Sequence, residues 1–263
     1  MKTSSHPPIL ISFALLSFIS ASALAADDSF TGKWKLNPDK SQFTGLNFKF
    51  EDIGGGKYSF AFGDDVETLV LDGKDHPTKG GNTWAFSQTG PNKWNWTRKR
   101  DGKVFAVSNW TVSDDGQTFS SSRESMRPDG STSHEELKFK RTAGTSGLAG
   151  TWERTELKMS SPTLLEIGRW QGDGYSFLDP AYKEHTDFRL DGKDYTPEGP
   201  LVAKGTTVTA RKIADRNLEL IYKLKGKTTQ TDRWELSADG KTLTATLTFP
   251  GQNKPAIEVY DRE

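Results

Sequence analysis

Along most of this chain the apolar side chains recur at every second position. Leu46, Phe48 and Phe50 alternate with polar neighbours, as do Tyr58, Phe60 and Phe62. Trp84 and Phe86 follow, then Trp94 and Trp96, and later Leu218, Leu220, Tyr222 and Leu224, then Leu243, Ala245, Leu247 and Phe249. A period of two belongs to a strand with one buried face. Between the runs stand Gly54-Gly55-Gly56 and a series of Asp-Gly steps: Asp72-Gly73, Asp101-Gly102, Asp115-Gly116, Asp129-Gly130, Asp173-Gly174, Asp191-Gly192 and Asp239-Gly240. Asp-Gly favours type I′ turns, whose twist suits a hairpin. The pattern predicts an all-β antiparallel meander, closed as a barrel or folded as a sandwich. Only a short helical turn, at 161–165, interrupts it.

The meander occurs twice. Phe30-Thr31-Gly32-Lys33-Trp34 returns as Leu148-Ala149-Gly150-Thr151-Trp152, and Tyr58-Ser59-Phe60 as Tyr175-Ser176-Phe177. Residues 71–75 (LDGKD) recur unchanged at 190–194, and 110–118 (WTVSDDGQT) recur as 234–242 (WELSADGKT). Four landmarks in the same order imply a duplicated unit of roughly 115 residues. The repeats are 26–143 and 148–263, with the small, Gly-rich stretch 142–147 as linker. Two tandem barrels satisfy this pattern, and so does one larger pseudo-symmetric barrel or sandwich.

Composition adds an address. Lys2, the apolar run at 9–19 and Ala23-Leu24-Ala25 follow the grammar of a secretory signal peptide, 1–25, cleaved after Ala25. The apolar run is short for a membrane span, and no stop-transfer segment follows, so the mature chain is expected to have no transmembrane segment. There is no cysteine, which excludes disulfides, thiol catalysis and a lipidated cysteine anchor. Export without disulfides fits a bacterial periplasm or bacterial secretion. Lys and Arg number 35, as do Asp and Glu; with no basic stripe, nucleic acid is not an expected partner. Hydrophobic residues make up only 33%, yet 8 Trp and 15 Phe are present, which suits thin cores built on large rings.

At Gly32-Lys33-Trp34 and Gly150-Thr151-Trp152 the chain resembles the calycin superfamily, in which Gly-x-Trp on the first strand closes one end of a small up-and-down barrel. Fatty-acid-binding proteins are similar in order: a Gly-Thr-Trp start, Asp-Gly hairpins and a closing strand comparable to Val259-Tyr260-Asp261-Arg262. The resemblance extends to exported bacterial proteins of unknown function through 32–41 (GKWKLNPDKS), 190–195 (LDGKDY) and 237–244 (SADGKTLT). It covers nearly the whole mature chain, once per repeat, and implies a lipocalin-like barrel with an internal ligand. The Arg-x-Tyr pair that holds a carboxylate in fatty-acid-binding proteins stands here as Glu258-Val259-Tyr260, without the arginine.

Motifs for catalysis or metals are sparse. His76, His134 and His185 show no metal-ligand spacing, and the repeated Asp-x-x-Asp at Asp72/Asp75 and Asp191/Asp194 has too few oxygens for calcium. No cofactor motif stands out, so no catalytic, metal or cofactor residue is assigned. Comparison of the repeats says more. Trp94, Trp96, Arg98 and Arg100 align with Leu218, Leu220, Tyr222 and Leu224; Phe119, Ser121, Arg123 and Ser125 align with Leu243, Ala245, Leu247 and Phe249. The second copy reads as ordinary apolar core. The first puts arginines and serines among rings, with Arg100, next to the turn, expected at the surface. Trp94, Trp96, Arg98, Phe119, Ser121 and Arg123 are therefore the candidate ligand site, suited to a small amphipathic molecule with a carboxylate, sulfate or phosphate head. An inward arginine paired with an inward acid is the alternative; an exposed aromatic platform of Trp84, Trp94 and Trp96 is another. Two other classes stay open: an isomerase, hydratase or lyase, with Asp232 as a candidate acid or base, and an interaction module with filled cores.

Overall fold

The computed structural model describes residues 30–144 and 146–263; the signal peptide expected at 1–25 lies outside them. Those residues form strands and turns with no helix. The first repeat supplies β1 (Gly32–Leu36), β2 (Asn47–Gly54), β3 (Lys57–Phe62), β4 (Asp65–Val70), β5 (His76–Pro77), β6 (Thr83–Gly90), β7 (Lys93–Arg100), β8 (Lys103–Val112), β9 (Thr118–Met126) and β10 (Thr132–Ala143). The second supplies β11 (Gly150–Met159), β12 (Leu164–Trp170), β13 (Gly174–Asp179), β14 (Glu184–Phe188), β15 (Asp191–Tyr195), β16 (Thr206–Ala214), β17 (Asn217–Leu224), β18 (Lys227–Leu236), β19 (Thr242–Thr248) and β20 (Ala256–Arg262).

The strands form two 10-stranded antiparallel sheets, ordered β4-β3-β2-β11-β10-β9-β8-β7-β6-β5 and β14-β13-β12-β1-β20-β19-β18-β17-β16-β15. Each curls into a nearly closed barrel, with β4 against β6 and β14 against β15 and β16. Curling hides the edge strands that an open sheet would expose. The tandem-barrel alternative is thus the one adopted.

The barrels exchange their first strands. β1 lies between β12 and β20, with Trp34 opposite Leu165 and Arg262. β11 lies between β10 and β2, with Trp152 opposite Arg141 and Phe48. The cause is local. Residues 144–149 are a short connection, so β10 and β11 form an antiparallel pair, and consecutive strands preferentially lie side by side. That fills the slot β1 would otherwise take, and β1 occupies the equivalent slot in the other barrel. The divisions 26–143 and 148–263 describe the duplication, while each barrel borrows one strand across it.

The two Gly-x-Trp starts build matching plugs. Trp34 and Trp152 are fully buried. Each indole N–H donates to the carbonyl four residues earlier, Phe30 or Leu148, at 2.9 Å. A guanidinium covers each ring, Arg262 at 4.1 Å and Arg141 at 4.0 Å from the centroid. Gly150 has φ +142°, and a Cβ there would lie 2.6 Å from Arg141 Nη1 and 2.4 Å from the Ala143 carbonyl oxygen. Only glycine leaves that space.

Three local expectations are corrected. Residues 164 and 165 are not helical; they start β12 and pair with Lys35 and Trp34, because the borrowed strand offers them a ladder. The Asp-Gly steps are not uniformly type I′: Asp101-Gly102 has positive φ at both residues, whereas Asp72, Asp115, Asp129 and Asp239 do not. Instead, those four carboxylates accept the N–H two residues on, the Asx geometry that favours aspartate in turns. Arg100 is not a free surface group. It donates to the carbonyls of Gly80, Leu201 and Val202 and so ties the first barrel to the second. Phe62 against Phe249, and reciprocal bonds between Asn47 and Gln252, join the barrels elsewhere.

Candidate ligand site in the first barrel

The first barrel holds a partly open cavity of about 270 Å³. Trp96 and Arg98 reach it from β7, and Phe119, Ser121 and Arg123 from β9. The pleat places alternate residues on one face, which is why five of the six sequence candidates meet there. Trp94 shares their parity but is packed in the core, outside the cavity wall. Phe48, Phe50, Phe60, Phe62, Trp84, Trp110, Leu137 and Phe139 complete the wall. Their alternation marks them as core; comparison of the repeats does not single them out. Trp84, Trp94 and Trp96 are buried, so the exposed-platform alternative fails.

The two arginines differ. Arg123 forms an ion pair with Glu135, its direct neighbour across β9 and β10. Arg98 has no carboxylate within ion-pair distance among the described residues. Its guanidinium carbon sits 4.2 Å from the Trp84 ring centroid and 5.7 Å from that of Trp96. Burial, with Arg123 nearby, pushes its pKa down to about 10, while Glu67 and Asp65 oppose this from a distance. It remains a cation at neutral pH.

Unsatisfied groups around the cavity share one sign. The Nε atoms of Arg98 and Arg123 and the Nε1 atoms of Trp84 and Trp96 are buried with no hydrogen-bond partner. All four are donors and cannot accept. The Ser121 hydroxyl is already engaged by Ser108 at 3.0 Å. A buried donor left without an acceptor costs roughly 1–3 kcal/mol. The cavity therefore combines aromatic walls, one uncompensated cation and a surplus of N–H groups, a setting for a ligand rich in acceptor oxygens.

Strand register gives the equivalent positions in the second barrel. Trp110 matches Trp234, and Arg98 matches Tyr222. Ser108 opposes Arg123, as Asp232 opposes Leu247. The Arg123–Glu135 pair becomes Leu247–Ala256, and Leu137 becomes Glu258. The expectation of an ordinary apolar core is thus corrected: the second barrel has its own cavity, about 350 Å³, near tyrosines and acids. Asp232 is buried, with burial pushing its pKa up to about 7 against a 2.8 Å bond from Gln230. It does not line that cavity. Arg154 sits between the interiors: it donates to the Phe43 carbonyl, and Glu135 and Glu258 both act on its charge.

His76, His134 and His185 lie at the surface beside Asp72, Glu124 and Glu198 respectively. Among the described residues, no three metal-ligating side chains gather, and no helix is long and apolar enough to cross a membrane. No protein-family model and no curated protein matches the chain.

Proposed function

We propose that this is an exported binding protein of the bacterial cell envelope whose first barrel holds a small anionic amphiphile. The 1–25 leader grammar supports export. The observation that carries the ligand class is Arg98, a cation among tryptophans with no acid partner and an orphaned Nε. A carboxylate or sulfate would accept from the Arg98 fork and from the indole N–H groups, while its apolar body lies against the phenylalanines. The volume of about 270 Å³, just below the roughly 300–1,000 Å³ usual for ligand pockets, selects a short chain or a single ring.

Calorimetric titration of delipidated protein with octanoate and octyl sulfate, against octanol, tests this. The anions bind and octanol binds at least about tenfold more weakly, as expected for a lost charge-assisted bond. Arg98→Gln removes most of the difference, and Arg98→Lys restores only part because the fork is lost. Equal affinity for octanol, or no loss in a folded Arg98→Gln protein, overturns the reading.

A further inference from the structure

We infer that the second-barrel cavity is a separate site for a small organic cation, its ammonium between Asp179 and Glu184 and its apolar body against Phe177, Tyr222 and Trp234. Asp179 and Glu184 stand directly opposite each other across β13 and β14, and both line the cavity. Like charges at directly opposed positions destabilise a sheet. No lysine or arginine lies within ion-pair distance of either among the described residues. Asp179 Oδ1 is fixed by the N–H groups of Ala181 and Tyr182, at 3.0 and 3.2 Å. Glu184 has no side-chain hydrogen bond among them. Arg127, whose charge reaches Asp179, already donates to the Ser161 carbonyl at 2.6 Å and lies 5.6 Å from the Tyr182 ring centroid.

The walls supply a second, independent indication. Trp234 is only 6% exposed, lines the cavity, and its Nε1–H has no acceptor. The Tyr222 hydroxyl on the same wall has no hydrogen-bond partner among the described residues. An ammonium carrying one acceptor oxygen satisfies all four groups: charge on the two carboxylates, an N–H to Tyr222, and the oxygen facing Trp234. Rings around a cation add further attraction through their negative faces. A divalent metal fits less well, because two carboxylates fall short of the six to eight oxygens calcium takes. Burial raises the pKa of both carboxyls, a strain that a bound cation relieves.

The probe is 2-phenoxyethylammonium, with neutral 2-phenoxyethanol as its control, in calorimetric titrations at neutral pH. The ammonium binds with one-to-one stoichiometry and the alcohol at least about tenfold more weakly. Glu184→Gln lowers ammonium affinity by a similar factor, and Tyr222→Phe lowers it less. The exposed Asp215→Asn protein matches wild type. The comparison of the two probes needs no variant, so a misfolded substitution leaves the test intact. Absence of binding at millimolar ammonium, equal affinity for the alcohol, or unchanged affinity in a folded Glu184→Gln protein overturns the inference. Octanoate affinity is measured in the same wild-type preparation, so failure at one site is distinguished from failure at the other.

Discussion

Asp232 shows how much one residue can hold within a β-barrel interior. It is 3% exposed, and burial, reinforced by Glu258, lifts its pKa from 3.8 to about 7. Between those values the folded protein keeps a proton that the unfolded chain has lost. Stability from this group is therefore fully present below about pH 4 and is lost as pH rises through about 7. Asp232→Asn keeps the partner for Gln230 and removes the ionisation. The variant should melt several degrees above wild type at pH 8.5, on the order of a few kcal/mol, with the gap closing towards pH 4. A pH-independent difference in melting temperature refutes this. Glu258 titrates in both proteins and largely cancels. At this scale the sequence was only partly legible. Parity brought Arg98, Arg123 and Phe119 onto one face, because side chains alternate strictly. It could not show that Glu135 falls opposite Arg123, since cross-strand register is not written in either strand alone. Glu258 was legible as a strand residue but not as an interior one, because a lone acid beside a tyrosine reads equally well facing water.

Strand identity and strand placement separate at the next scale. Gly-x-Trp named both first strands, and the repeated runs placed most others. The exchange of β1 and β11 was hidden because the two starts carry the same pattern and fit the same slot, so hydrophobic periodicity cannot choose between them. The deciding term is the short β10–β11 connection, which keeps that hairpin local. One consequence is direct. If the chain is split after Gly144 and the halves are co-expressed, each half needs a strand from the other, and backbone ladders on both sides hold it. The halves should purify as a one-to-one complex by size-exclusion chromatography with light scattering. Expressed alone, each half lacks its partner's strand and should associate with itself, as exchanged elements do. Two independently monomeric, folded halves would contradict the exchange.

Over the whole molecule, duplication produced one frame with opposed interiors. Matching positions carry Arg98 and Arg123 in the first barrel and Tyr222 and Leu247 in the second, while Ser108 and Leu137 give way to Asp232 and Glu258. Arg154 lies between them, its pKa lowered by burial to about 10 and its charge supported by Glu135 and Glu258. Two autonomous barrels would be free to unfold separately. These barrels share two exchanged strands, the Arg100 contacts with Leu201 and Val202, and the Phe62–Phe249 packing. Melting either barrel withdraws a central strand from the other and opens a ten-stranded sheet in its middle. Differential scanning calorimetry should therefore show a single transition whose van't Hoff and calorimetric enthalpies agree. A saturating ligand of either barrel should then move that one transition upward as a whole, because binding to the native state stabilises everything that unfolds with it. Two resolved transitions, or a ligand shift confined to one of them, would mean that the exchanged strands do not couple the barrels.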